Sequence, residues 1–268
     1  MYDQDTTDYD QSVRDRDEAI EKEELFSVVG FVNKYLRDKQ NDRTASENFN
    51  ASDMGRCYLM RYWKRQGKVG TAIDDRSLRN FAVGNAFHKF FQDITRESGL
   101  SIVSEEKMTL TNSKGEVIVS GRIDDLIKTK SGKLILYDYK TVHSKKFHYL
   151  VGGERDKHYE KQVILYWMML RDKYPELTDL RILYISKDDL CLKEMPVLIT
   201  DKIVKEVEKE IEDLTVFWEK QEEPRAIPKE AWECKYCPYS DTCPQGEEMA
   251  RAEVQKKEMA RAKKSIKL

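Results

Sequence analysis

The stretch GRIDDLIKTKSGKLILYDYKT, residues 121–141, decides the fold class of this chain. Two runs of β-prone residues are joined by a Lys-Ser-Gly-Lys turn, so the pattern predicts a β-hairpin. The second strand ends in Asp138-Tyr139-Lys140, and side chains two apart on a strand lie on the same face. A carboxylate and an ammonium beside Asp124 of the neighbouring strand suit a divalent-metal phosphodiester site, although a solvated amphipathic hairpin gives the same pattern.

The bulk composition restricts the class of protein without indicating a partner. The chain has 268 residues, with 47 basic and 49 acidic side chains and a net charge of −2. The overall charge therefore does not indicate that the protein binds a nucleic acid. No apolar run approaches the roughly 20 residues that span a bilayer, and the acidic N-terminus is unlike a targeting peptide. These features predict a cytoplasmic protein without membrane contact, whose oligomeric state stays open.

The patterning divides the chain into three parts. We expect an acidic, disordered arm at 1–24, a single domain at 25–246 and a basic C-terminal helix at 247–268. Within the domain, helical and strand periodicities alternate, which predicts an α/β fold with a mixed central β-sheet flanked by helices. The expected helices are 25–36, 74–97, 154–174 and 200–220, and the expected strands are 100–110, 117–128, 134–139, 180–186 and 190–197.

A basic and aromatic run, GRCYLMRYWKRQ, follows a helix-start signal at 52–54. Arg56 and Arg61 stand among tyrosines and a tryptophan, an interleaving that suits a nucleic-acid backbone with stacked bases. An amphipathic helix with a buried aromatic stripe explains the same residues. The run therefore offers candidate DNA contacts and an alternative packing role.

Two helices carry further candidate site residues. His88 lies one turn after Gly84, which leaves open space beside the imidazole and makes the histidine a candidate metal ligand. Gln162 and Tyr166 lie one turn apart on the helix that follows the hairpin. Each of these side chains is also explained by an ordinary structural role, as a satisfied histidine, a surface amide or a core aromatic residue.

Five cysteines in a chain without an export signal favour metal ligation over disulfides. A C-x2-C-x5-C run supplies three thiolates, so a zinc site or an iron–sulfur cluster requires a fourth ligand. Cys57, at a helix start among polar residues, is the better candidate, whereas Cys191 lies in a strand pattern and is interpreted as a small buried hydrophobe. The spacing leaves zinc and iron–sulfur open. The three cysteines of the run are Cys234, Cys237 and Cys243.

The ordered set of motifs resembles RecB-like nucleases of the PD-(D/E)XK superfamily over about residues 52–245. One cysteine ahead of the motifs and three behind them make the chain similar to the CRISPR-associated exonuclease branch and its phage and archaeal relatives. The motifs are Gly84-x3-His88, Gly121-x2-Asp124, Asp138-x-Lys140-Thr141 and Gln162-x3-Tyr166.

The resemblance implies a restriction-endonuclease-like core with a helical, cysteine-cluster cap. It implies that His88, Asp124, Asp138 and the backbone carbonyl of Tyr139 hold Mg2+ or Mn2+. Lys140 would orient or help to deprotonate the attacking water and offset phosphate charge. Gln162 and Tyr166 would support the site and contact the DNA strand, and Cys57, Cys234, Cys237 and Cys243 would hold a 4Fe–4S cluster, with zinc as the alternative.

The function so implied is exonucleolytic cleavage of single-stranded DNA or frayed ends. The setting would be CRISPR spacer acquisition, with an adaptation integrase or a recombination partner, or the processing of phage or host DNA. Two other classes stay open: a non-catalytic DNA-binding or adaptor module on a nuclease-like scaffold with a structural zinc, and an interaction protein working through its terminal arms. Asp125 has no role in the motif, and we expect it on the opposite strand face, where Asp125→Asn is tolerated.

Overall fold

A computed structural model describes residues 27–41, 46–228 and 231–245, with the backbone alone described at 231–232. The acidic arm and the basic C-terminal helix expected from the sequence lie outside these residues. The chain divides into two compact units, one within 1–44 and 73–86 and the other within 45–72 and 87–268. Each is described by itself.

The smaller unit contains helix α1, Val28–Asn41, close to the helix expected at 25–36. The Arg37 guanidinium donates to both carboxylate oxygens of Asp75 at 2.9 Å. Arg79 donates to the side-chain oxygen of Asn33 at 2.5 Å, and Asn33 is buried. Charge-assisted hydrogen bonds therefore join the helical segments of this unit.

The remaining elements begin with a short strand and a 3-10 turn and then alternate between helices and strands. The helices are α2 (Tyr58–Arg65), α3 (Asp75–Glu97), α4 (Ser144–Val151), α5 (Lys157–Leu170), α6 (Asp201–Lys220) and α7 (Ala231–Lys235). The strands are β1 (Phe49–Asn50), β2 (Ser101–Ser104), β3 (Lys107–Thr111), β4 (Val117–Arg122), β5 (Asp125–Lys128), β6 (Leu134–Val142), β7 (Asp179–Ser186) and β8 (Leu192–Val197).

Two β-sheets form the centre of the larger unit. The five-stranded sheet has the order β2-β5-β6-β7-β8, and only its β6–β7 pairing is parallel. The three-stranded sheet has the order β1-β4-β3. The predicted mixed α/β architecture with flanking helices is confirmed, whereas the division into two sheets was not anticipated.

A break in the long hairpin produces this division. The expected strands at 100–110 and 117–128 do pair, but each is interrupted, so that β3 pairs with β4 and β2 pairs with β5. At the break, Glu105 adopts a left-handed conformation with φ 55°, and its N–H donates to the Ile123 carbonyl at 3.1 Å. Asp124 consequently lies at the junction between the two sheets instead of within a strand.

The two faces of β6 pack against different helices. Leu134 and Leu136 belong to the main core, together with residues of α5 and α6, whereas Tyr137 and Tyr139 form a second cluster with Phe91 of α3. Side chains alternate along a strand, so Asp138 and Lys140 continue the face of the main core. The strand thus brings charged groups to the edge of a buried apolar layer.

Three local expectations differ from the structure. The helix expected just after residues 52–54 begins only at Tyr58, because Gly55 takes a left-handed conformation with φ +80° after a 3-10 turn. Helix α4 was not predicted; it begins at a cap in which the His143 ring accepts from the Lys146 N–H. Cys191 is exposed ahead of β8, so its interpretation as a buried hydrophobe was wrong.

In the described part of the chain, no helix has the length and apolar character to cross a membrane.

Candidate functional site

His88 and Asp124 meet at the junction between the sheets. The His88 Nδ1 atom lies 3.1 Å from Asp124 Oδ1, and the backbone N–H of Tyr139 donates to Asp124 Oδ2 at 2.7 Å. Burial lowers the pKa of His88, but the hydrogen bond and the charge of Asp124 outweigh it and leave the pKa above its ordinary value. Gln92 and Ser104 donate to the Asp124 carbonyl, each at 3.2 Å, which fixes the backbone of the junction.

Asp138 and Lys140 form a buried ion pair on the neighbouring strand. Lys140 Nζ lies 2.6 Å from Asp138 Oδ2, as the shared strand face predicted. Burial raises the pKa of Asp138 to about 6, with the Lys140 charge opposing and the Asp124 charge adding to the rise. Burial lowers the pKa of Lys140, but the charges of Asp138 and Asp124 raise it above its ordinary value. Lys140 is therefore an ammonium at neutral pH, suited to act as a point charge on a phosphate.

The donor set at this place suits a hard divalent cation. Two carboxylates and a backbone carbonyl are oxygen ligands of the kind that Mg2+ takes, and an imidazole adds affinity for Mn2+. Asp138 Oδ2 has no hydrogen-bond partner among the described residues and lies beside the Lys140 ammonium, so it keeps acceptor capacity for a cation. As the side chains stand, no group of three or more His, Cys, Asp or Glu residues within the described ranges could hold a metal ion.

Gln162 and Tyr166 lie beneath the site in α5. The Gln162 amide donates to the Tyr166 hydroxyl at 3.1 Å, and the two side chains are only 5% and 3% exposed. A Cβ atom on Gly121 would lie 2.9 Å from the Tyr166 ring and 2.6 Å from the Ala51 side chain, so glycine is required for this close approach. Their burial fits the expected supporting role and leaves almost no surface for the expected contact with DNA.

Arg61 departs from its predicted role as a DNA contact. Its guanidinium is fully buried and lies 3.1 Å from Glu210 Oε1, an acid that also accepts from the Gly55 N–H at 3.0 Å and lies 3.4 Å from Lys161. The buried ion pair ties α2 to α6 and to the turn before α2. Arg61 cannot reach a nucleic acid, whereas the expected role of Arg56 stays a prediction.

Asp125 also differs from its expected environment. It does lie on the strand face opposite Asp138, but its side chain is fully buried and accepts from three hydroxyl groups. Thr95 Oγ1 donates at 2.5 Å, the Tyr139 hydroxyl donates at 3.0 Å and Ser101 Oγ is the third donor. The sequence motif assigned no partner to Asp125, because its donors are distant in the sequence.

The four cysteines expected to share a cluster line one small cavity of about 60 Å3. Cys57 comes directly before α2, and its N–H donates to Glu233 Oε2 at 2.9 Å. Burial raises the pKa of Cys234 and Cys237, and the neighbouring cysteines raise it further because thiolates so close together repel one another. Apolar and aromatic walls complete the cavity.

The sequence matches a known protein family. A family model described as the PD-(D/E)XK nuclease superfamily matches residues 93–244, more than half of the chain. Among curated proteins, none matches the sequence with significance.

Solved structures give likenesses at low identity. The structure of SSO0001 has a TM-score of 0.57 at 20% identity, covering 82% of this chain and 97% of that one. The alkaline exonuclease LHK-Exo from Laribacter hongkongensis has a TM-score of 0.46 at 14% identity, with coverage of 70% and 93%. Its complex with dAMP has a TM-score of 0.40 at 16% identity, with coverage of 66% and 94%. At such identity, the first likeness concerns the fold alone.

Proposed function

Because the chain belongs to the PD-(D/E)XK nuclease superfamily, we propose that it is a metal-dependent deoxyribonuclease that removes nucleotides from single strands or frayed ends. The observation that carries the proposal is the juxtaposition of the His88–Asp124 contact with the buried ion pair of Asp138 and Lys140. The biological setting that we favour is spacer acquisition beside a CRISPR integrase, or the processing of recombining or phage DNA.

A Mg2+ or Mn2+ ion bound by the two carboxylates and the Tyr139 carbonyl would polarise the phosphoryl oxygen, acidify a bound water and neutralise developing charge. His88 holds one oxygen of Asp124 and the Tyr139 N–H holds the other, so the carboxylate keeps one orientation. Lys140 places its ammonium where it offsets the charge of the scissile phosphate. The ion pair with Asp138 holds that ammonium in place before DNA arrives.

Cleavage of single-stranded DNA labelled at the 5′ or the 3′ end, with Mn2+, Mg2+ or chelator, tests the proposal. We expect cleavage with metal and none with chelator, and a drop in kcat of about 100- to 1,000-fold for Lys140→Ala, because an electrostatic stabiliser is lost. Lys133→Ala, in the turn of the same hairpin, is the matched control. DNA binding without turnover, unaffected by Lys140→Ala, would instead support the adaptor module.

We propose further that Cys57, Cys234, Cys237 and Cys243 hold a 4Fe–4S cluster, with a structural zinc as the alternative. The shared cavity supports a common centre. A single zinc, with Zn–S bonds of about 2.3 Å, would need the thiolates close together, whereas a cluster spreads them over several irons. Anaerobic purification followed by assays of iron, acid-labile sulfide and zinc decides between them. Brown protein with iron and sulfide favours the cluster, and colourless protein with zinc favours the alternative.

A further inference from the structure

Asp125 is the fully buried carboxylate that the motif leaves without a role. It begins β5, next to the metal-site candidate Asp124, and no solvent reaches it. Three hydroxyl donors compensate the charge: Thr95 and Tyr139 share Oδ2, and Ser101 reaches Oδ1. A buried charge is tolerated only when it is hydrogen-bonded in this way. Asp125 therefore restricts the positions of the three side chains that donate to it.

The donors of Asp125 belong to the elements that shape the candidate site. Tyr139 uses its hydroxyl for Asp125 and its backbone N–H for Asp124 Oδ2, at 3.0 Å and 2.7 Å. The Tyr139 ring centroid lies 6.0 Å from that of His88 in an edge-to-face arrangement. Thr95 lies two turns after His88 on α3, and residues at that spacing share a helix face. One carboxylate therefore fixes the helix with the imidazole and the strand with the ion pair.

We propose that Asp125 is a positioning residue of the nuclease site, acting through Tyr139 and Thr95 on the His88–Asp124 contact; this rests on the proposed function. An ionised aspartate only accepts hydrogen bonds, whereas asparagine presents an amide that donates. In the Asp125→Asn variant, an amide oxygen in the Oδ2 position keeps the bonds from Thr95 and Tyr139, and the amide nitrogen turns towards Ser101. Leucine removes all three acceptor contacts, so the Tyr139 and Ser101 hydroxyls lose this partner. The Thr95 hydroxyl keeps its contacts with two backbone carbonyls of α3.

The test compares Asp125→Leu, Asp125→Asn and Tyr139→Phe with Val197→Ala, a core truncation in β8 that controls for lost stability. We measure kcat, KM for DNA and the affinity for Mn2+ alone, by electron paramagnetic resonance, below the unfolding range of every variant. Changes around metal ligands typically cost about 10- to 100-fold in affinity or activity. We expect a loss of that size in kcat and Mn2+ affinity for Asp125→Leu with KM unchanged, and a smaller loss for Asp125→Asn.

Each outcome decides the matter. If Asp125→Leu loses no more kcat and Mn2+ affinity than Val197→Ala, the positioning role is overturned and the proposed nuclease function stands. If the wild type does not cleave DNA, the proposed function fails, and the Mn2+ affinities alone decide whether Asp125 positions a metal site. If Asp125→Leu does not fold, Tyr139→Phe decides, because it removes one hydroxyl and keeps the backbone N–H that contacts Asp124.

Discussion

The candidate site at the sheet junction and the cysteine-containing segment 231–245, here called the cap, are stabilised by different means. At the junction, β5 and β6 are paired over four residue positions, and buried hydrogen bonds and an ion pair hold the charged groups. The cap consists of turns and the five-residue helix α7, and its cysteines line a cavity. The difference predicts that the sheet shapes the junction before any metal binds, whereas the cap would depend on the metal centre proposed for its cysteines.

Hydrogen bonds and an aromatic contact join the cap to α2 and to the segment after it. The Thr71 N–H donates to the Pro238 carbonyl at 2.6 Å, and the Tyr239 hydroxyl donates to the Lys68 carbonyl at 3.2 Å. The Tyr239 ring lies 5.5 Å from that of Trp63, centroid to centroid, edge to face. The segment after α2 therefore holds one side of the cysteine loop, and the proposed metal would hold the other.

Removal of one cysteine should produce the largest effect, and it should affect the cap while leaving the junction intact. We expect Cys57→Ser to lose most of the bound metal, because a structural metal contributes about 10–16 kcal/mol of apparent binding energy and three thiolates leave its coordination incomplete. Metal analysis and hydrogen exchange should show a metal-poor cap with faster exchange at 231–245, while the strands of the junction keep their protection.

Cys191→Ser is the matched control, since Cys191 is exposed and lies apart from the cavity. Its metal content and exchange should equal those of the wild type. Equal metal loss in both variants, or full metal retention in Cys57→Ser, would refute the assignment of Cys57 as the fourth ligand. Loss of protection in β5 and β6 would show instead that the junction also depends on the cap.

Overpacking at the junction should give a smaller effect that is independent of metal. A Cβ atom on Gly121 would lie 2.6 Å from the Ala51 Cβ, well inside contact distance. We expect Gly121→Ala to lower the free energy of unfolding by about 1–3 kcal/mol, as overpacked cores do, with the same loss in chelator. Urea unfolding measures it, and the double variant with Ala51→Gly should recover part of the loss. A loss that disappears in chelator would contradict a purely steric cause.

The sequence predicted the fold where local patterns decide it. The alternation of β6 placed Asp138 and Lys140 on one face, and the helical periodicities located α3, α5 and α6. The break at Asp124 could not be foreseen, because neither proline nor glycine marks it and the left-handed residue opposite is Glu105. That break arises from pairing with two different sheets, which is a tertiary property.

Contacts distant in the sequence account for the errors at the site. Arg61 stands in a basic and aromatic run, but its partner Glu210 follows 149 residues later and buries it. The donors to Asp125 are hydroxyl groups, which carry no charge pattern in the sequence. An aspartate repeated beside a motif aspartate, directly ahead of the apolar residues Leu126 and Ile127, was the local signal that Asp125 needs polar partners.

Acid should weaken the protein through His158, which lies near the junction and is influenced by the Lys140 charge. Burial and then the charges of Arg56, Lys140 and Lys146 lower the pKa of His158 to about 3. Between about pH 6.5 and pH 3 the unfolded chain binds a proton here that the folded chain does not, so stability falls as the pH falls through this range. By pH 5 the loss attributable to His158 should be about 2 kcal/mol, since each pH unit corresponds to about 1.4 kcal/mol.

Urea unfolding at several pH values isolates this contribution as the difference between wild type and His158→Gln. The variant should lose less stability than the wild type between pH 7 and pH 5, and the two should have parallel profiles above pH 7, where the imidazole is neutral in both states. His148→Gln, which removes an exposed imidazole of α4, controls for the loss of a histidine as such. Parallel profiles of wild type and His158→Gln down to pH 5 would mean that the cations around His158 do not keep it neutral, and that the junction is more open to solvent than its buried ion pair indicates.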